Sequence, residues 1–232
     1  MARLNAVLLE GDIAIAVNPA IRFPVGEKTR LSWPNAKQTL GLLTGNPFGC
    51  LSEYLDYVRG GHYTSLLFDG ALLQLSFDFK HDQLVGHRYC YYPCPLAIPD
   101  PSFASNTDAW VDLLEQNLFT EIELSSLENA SSENDMRNKR HSLLRLRSPI
   151  RFDFSPDAAA DGEPVSHVHL NSADARIPVH SALSIKAFIR FVITHFYPKH
   201  LEVVDSVGDH AYARCISLEE ERNLYINCRA TI

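Results

Sequence analysis

The sequence predicts an α+β fold built on an antiparallel sheet, and three observations carry that prediction. Residues 62–92 alternate apolar and polar side chains and are broken at Asp69-Gly70 and at "KHD", which is the pattern of a three-stranded meander. Three further strand-like runs follow, "LLRLRSPIRFDF" (143–154), "VSHVHLN" (165–171) and "ARIPV" (175–179), joined by turn residues rather than helical patterns. Helical periodicity is confined to separate segments, so helices flank a sheet of neighbouring strands instead of alternating with parallel ones.

Residues 1–18 form an apolar run of unclear period, read as helix in preference to a buried strand. "TRLSWP" (29–34) is a short strand ended by Pro34, and "LSEYLDYVRGG" (51–61) a helix with Ser52 as cap and Gly60-Gly61 as stop. "HYTSLLF" and "ALLQLSFDF" pair through Asp69-Gly70, whose residue types supply the positive φ values of a type I′ turn. In the second arm Leu73, Leu75, Phe77 and Phe79 are expected inward, and Gln74, Ser76 and Asp78 toward water. "QLVGHRYCYY" is the third strand, and "PCPLAIPDP", with four Pro in nine residues, is an irregular connection. "DAWVDLLEQNLF" (108–119) is a helix capped by Asp108, and the polar segment 125–142 a flexible loop. Ser184 opens an amphipathic helix with Ile185, Phe188, Ile189, Val192 and Phe196 on one stripe, ended by Pro198. The tail reads as strand "AYARCIS", a turn of helix at "LEEER" and strand "NLYINCR". The whole chain, 1–232, is expected as one domain.

Composition narrows the function. With 46% apolar residues the chain can fill a core, and its net charge of −7 excludes a surface that grips nucleic acid everywhere while allowing a local basic patch. The five Cys are odd in number and scattered, without paired zinc spacing, so they are expected as reduced thiols in a cytoplasmic protein. No uncharged span suits a membrane helix, so no membrane partner is expected. No Walker loop, dinucleotide fingerprint or nucleophile elbow is present, and no cofactor is expected.

Chemistry concentrates in residues 148–171. In a strand "IRFDF", Arg151 and Asp153 share a face opposite Ile150, Phe152 and Phe154; in "VSHVHLN", His167, His169 and Asn171 share one opposite Val168 and Leu170. A loop of roughly nine residues would let the two strands pair and gather these groups, with Arg176 added from "ARIPV". Three readings stay open. The two His with Asp153 are a workable ligand set for a metal ion. Alternatively, His167 and His169 form an acid/base pair oriented by Asp153, with Arg151 holding phosphate, which suffices for metal-independent cleavage of a phosphodiester, RNA in particular. The third reading is a polar sheet face with a surface Arg151–Asp153 ion pair of little weight. In "GHRYCYYPCP", His87, Tyr89 and Tyr91 share one face and Arg88 the other, which makes His87 and Arg88 candidates for substrate contact. Arg137, Lys139, Arg140, Arg145, Arg147 and Arg151 form a basic stretch.

The ordered set "DGALLQLSFDF", "HRYCYYPCP", "SPIRFDFSP", "HVHLN", "RIPV" and "FIRFVITHFYP" resembles a bacterial family of unknown function, number 2290 in that series, over about residues 60–198. The resemblance implies a bacterial protein and brings no activity with it. More loosely, the Arg-x-Asp and His-x-His section is similar to transposon-associated toxin proteins, although the His that usually follows the Asp is absent here. The reading preferred is a toxin or defence-type effector acting on RNA or another phosphodiester, with His167, His169, Asp153 and Arg151 as catalytic residues and Arg176, Asn171, His87 and Arg88 as substrate contacts. The alternative is a non-catalytic module that binds a protein partner encoded nearby.

Overall fold

The computed structural model describes residues 1–37, 51–96, 98, 104–116, 147–170, 172, 175–209 and 212–223. The 125–142 loop, Asn171, the "LLRL" part of its strand, all but Asn223 of the "NLYINCR" strand and all but Arg147 and Arg151 of the basic stretch lie outside them, and Asn223 ends a helix.

Helix α1 (Ala2–Glu10) does not continue to residue 18. Gly11 and Asp12, the latter at φ 53°, reverse the chain, and β1 (Ala14–Val17) follows. The expected strand near residue 30 is β3 (Lys28–Ser32), and it has a hairpin partner, β2 (Ile21–Val25), which Pro24 obscured. Proline donates no ladder hydrogen bond but is tolerated here because β2 pairs only with β3 and its other edge is free among the described residues. In α2 (Leu51–Arg59) Ser52 lies inside the helix, and Gly61 at φ 62° closes it, with the His62 N–H donating to the Tyr57 carbonyl at 2.8 Å.

The meander forms from β4 (Ser65–Leu67), β5 (Leu72–Lys80) and β6 (Gln83–Tyr92), but its two turns exchange character. At Asp69-Gly70 only Gly70 has positive φ, and Leu67 accepts from Gly70 while donating to Ala71, a three-residue loop with Gly in the left-handed position. The two-residue loop with both φ positive is His81-Asp82, at 50° and 60°, between paired Lys80 and Gln83. After it come β7 (Ile150–Phe154), β8 (Ser166–Leu170) and β9 (Ile177–Pro178). Seven of the nine strands run β1-β4-β5-β6-β7-β8-β9, with β2 and β3 off this path and every pair antiparallel. The remaining β3 pairs with the far half of β5, along the edge whose near half takes β4.

Helices lie on both faces. Residues 107–116 form α3, whose cap is Asn106 rather than Asp108: its Oδ1 accepts from the Ala109 N–H at 2.9 Å. Helix α4 (Ile185–Phe196) is capped as expected, Ser184 Oγ accepting from the Ala187 N–H at 3.1 Å, and its buried Phe188, Ile189 and Val192 pack with α1 on Leu73, Leu75, Tyr89 and Tyr91. On the other face α2 and α3 cover Leu66, Leu72, Cys90 and Tyr92. The face expected to be wet is therefore covered at this end, where Gln74 is buried and donates to the His62 carbonyl at 2.6 Å, and Ser76 is buried beside it. Near the C terminus "AYARCIS" contributes one bridge, Arg214 to Ser181, in place of a strand. "LEEER" is helix, closed at its start by reciprocal Ser217–Glu220 hydrogen bonds. Among the described residues no helix is long and apolar enough to cross a membrane, and Cys90, Cys94 and Cys215 are free thiols.

Candidate functional site

Beyond α2 and α3 the same sheet face opens into a cavity of about 420 Å³, and its floor is set by strand register. Arg88 on β6 stands opposite Asp153 on β7, and Asp153 opposite His167 on β8; two pairs along, Cys90, Arg151 and His169 form the second row. The alternate residues hold this arrangement in place. Phe152 packs edge-on against Phe188 and Phe191 on the apolar face, so its neighbours Arg151 and Asp153 must project into the cavity side.

The groups are buried, Arg151 to 3%, Asp153 to 7%, His167 to 4% and His169 to 1% exposure, which excludes a surface ion pair. Asp153 joins them: its Oδ1 lies 3.1 Å from Arg88 Nε, and its Oδ2 lies 3.2 Å from Arg151 Nε, 3.5 Å from His169 Nε2 and 4.0 Å from His167 Nε2. Burial alone would push this carboxyl up, but the Arg88 and Arg151 guanidinium groups beside it outweigh burial and hold Asp153 well below the usual carboxylate range. It is a fixed negative charge between two guanidinium groups.

Hydrogen bonds decide where the imidazole protons sit. His167 Nδ1 is 2.7 Å from the Pro164 carbonyl, which only accepts, so Nδ1 carries the proton. Burial lowers the pKa of His167 despite the raising effects of that carbonyl and of Asp153, leaving a neutral ring whose Nε2 lone pair faces the floor. His169 Nε2 lies 2.9 Å from Arg151 Nη2, which only donates, so this nitrogen is an acceptor already engaged, and Nδ1 is buried without a partner. The two His are thus unequal. One offers a lone pair; the other is sealed beneath it.

Of the expected residues, Arg151, Asp153, His167, His169 and Arg88 meet on the floor. Arg176 lies at the cavity wall, paired with Glu163 at 3.2 Å. His87 does not join them: it pairs in register with Phe154 on the opposite face and stacks on Tyr89 at 4.1 Å, where burial lowers its pKa to about 4. Arg30 and Asp78, linked by two hydrogen bonds of 2.7 and 2.8 Å, also line the cavity, as do Lys28 and Asp157, 2.6 Å apart. Their signal was non-local, since nothing in β3 announces that it pairs with β5. Gly86 sits opposite Asp78 at a bulge, and a Cβ there would lie 3.1 Å from the Phe154 carbonyl oxygen, so the glycine lets β6 and β7 approach beside the site.

Chemically, two guanidinium groups against one carboxylate, with His167 held neutral, leave the floor net positive and suited to an anion. The same floor has ligand atoms of Asp153, His167 and His169 within 4.8 Å of one another, a separation that metal coordination can also use. A search of curated proteins finds no match to the chain, and a search of solved structures finds none. The family model described as "Uncharacterized conserved protein (DUF2290)" matches residues 16–228, and the chain belongs to that family.

Proposed function

We propose that the protein cleaves phosphodiester bonds of RNA at the floor of this cavity. One observation carries the reading: two guanidinium groups and a neutral, oriented imidazole converge on a single buried carboxylate at the bottom of a cavity. Arg88, whose side chain is 30% exposed, meets a non-bridging phosphate oxygen, while buried Arg151 adds positive potential from beneath. Asp153 fixes both guanidinium groups. His167 Nε2 takes the proton of the ribose 2′-hydroxyl; the 2′-oxygen bonds to phosphorus, the bond to the 5′-oxygen breaks, and that oxygen takes a proton from water. The products are a 2′,3′-cyclic phosphate and a 5′-hydroxyl, and His167 returns its proton to solvent. His169 is a positioning residue, acting through Arg151. Cleavage of cellular RNA would make the protein a toxin or defence-type effector.

The test is incubation of the purified chain with single-stranded RNA in the presence of chelator. Wild type is expected to cleave, His167→Ala to be inactive with its fold retained, and Arg88→Gln to be weakened through substrate affinity. No cleavage by any form, with a protein partner captured through the same face, would favour the adaptor reading. A metal-dependent reading is favoured by one observation: a backbone carbonyl fixes the His167 tautomer with Nε2 free, as at many metal sites. Activity lost to chelator and restored by a stoichiometrically bound ion would establish it against the guanidinium groups that compete for the same space.

A further inference from the structure

Four part-exposed cations cross the cavity, and each already has a carboxylate. Lys28 pairs with Asp157, Arg30 with Asp78, Arg88 with Asp153 and Arg176 with Glu163. Arg30 and Arg88 have partners on the sheet itself, while Asp157 and Glu163 both belong to the connection between β7 and β8. That connection holds a 3-10 turn (Pro156–Asp161) followed by Gly162, and near its end Pro164 offers the carbonyl that orients His167. Its acids therefore neutralise the two outermost cations, one on β3 and one beside β9.

The geometry of this row bears on the substrate. From β3 through β5, β6, β7 and β8 to β9 there are five inter-strand steps, about 24 Å at the usual spacing. Register makes the row diagonal: Arg30 lies level with Asp78 and Gly86, two pairs before Arg88, while Arg176 precedes the Ile177–Val168 pair on the other side. A single phosphoester occupies only the Arg88 position. A flexible strand bearing several phosphates can reach the ends as well and still lower one phosphate to the buried floor, which a stiff duplex cannot do.

We infer that the substrate is an extended single-stranded oligonucleotide whose flanking phosphates displace Asp157 and Glu163 from Lys28 and Arg176. This rests on the phosphodiester reading and names its substrate class. The two carboxylates then act as a threshold: a weakly charged ligand leaves them in place, and a polyanion replaces both ion pairs.

The experiment uses the full chain and 2′-O-methyl oligouridylates of two, four and six nucleotides, with uridine monophosphate as the one-phosphate probe. The 2′-O-methyl group removes the internal nucleophile, so binding is read without cleavage. The expected result is affinity rising at least about tenfold from monophosphate to hexamer. Lys28→Gln with Arg176→Gln should remove that rise and leave monophosphate binding unchanged. Asp157→Asn with Glu163→Gln should tighten hexamer binding about two- to fivefold, the scale of an exposed ion pair. Equal affinity at all lengths, or a length dependence indifferent to Lys28 and Arg176, overturns the inference while leaving the catalytic floor intact. Binding of none of the probes overturns both.

Discussion

Replacing Asp153 by Asn removes the single carboxylate that two guanidinium groups share at the cavity floor. In wild type its oxygens lie 3.1 Å from Arg88 Nε and 3.2 Å from Arg151 Nε, and both Asp153 and Arg151 are buried. Breaking a buried pair by removing one partner typically costs 3–5 kcal/mol; because Arg88 is part-exposed and can turn to solvent, we expect about 3 kcal/mol at pH 7. For a chain of this size that corresponds to a fall of roughly 6–12 °C in Tm. Urea denaturation of both proteins across pH reads the effect. The folded carboxyl titrates below its unfolded value of 3.8, so its stabilisation is whole above that value and is lost as pH falls through the folded one. The difference should stay constant from pH 7 to about 5 and close only in strong acid. An Asn variant as stable as wild type at neutral pH would refute the claim that Asp153 is a paired, buried charge.

Other substitutions test separate parts of the structure. His87, with its pKa lowered from 6.5 to about 4, must charge in a buried stack, so acid should destabilise the fold by about 3 kcal/mol between those pH values, and His87→Phe should remove much of that loss in denaturation measurements. Gly70→Ala sets a Cβ 1.9 Å from Trp110 Cζ2 at a φ of 82°, so unfolding experiments should show a loss above about 3 kcal/mol or no soluble protein. Ser184→Ala removes the α4 cap and should cost about 1 kcal/mol in the same assay. The pH–rate profile of RNA cleavage should rise with a pKa below 6.5 and then level off, since His167 acts as a base and burial lowers its pKa.

The meander and the pairing of β7 with β8 were legible because both depend on local alternation and short connections. "IRFDF" and "SHVHL" each carry period 2, and the register that places Arg151 opposite His169 follows once the apolar residues choose the helix-covered face. Strand β2 was hidden by Pro24, because an edge position that tolerates proline is known only from the neighbours of the strand. The wet face assigned to Gln74 and Ser76 failed for a related reason. Alternation marks two chemically different faces, but it does not say that α2 and α3 cover the polar one. The inequality of His167 and His169 was likewise invisible, since it rests on a carbonyl three residues before one ring and a guanidinium on the adjacent strand. That Arg88 on β6 stands opposite Asp153 on β7 was not legible, because those two strands are far apart in sequence.

The most direct measurement compares cleavage of a single-stranded RNA with that of the same strand carrying 2′-deoxyribose throughout, followed by analysis of the product ends. Cleavage of the ribose strand only is expected, with 2′,3′-cyclic phosphate and 5′-hydroxyl ends and no activity in His167→Ala. Equal cleavage of the deoxy strand, or 5′-phosphate ends, would mean that water rather than the 2′-hydroxyl attacks, and would contradict the role given to His167.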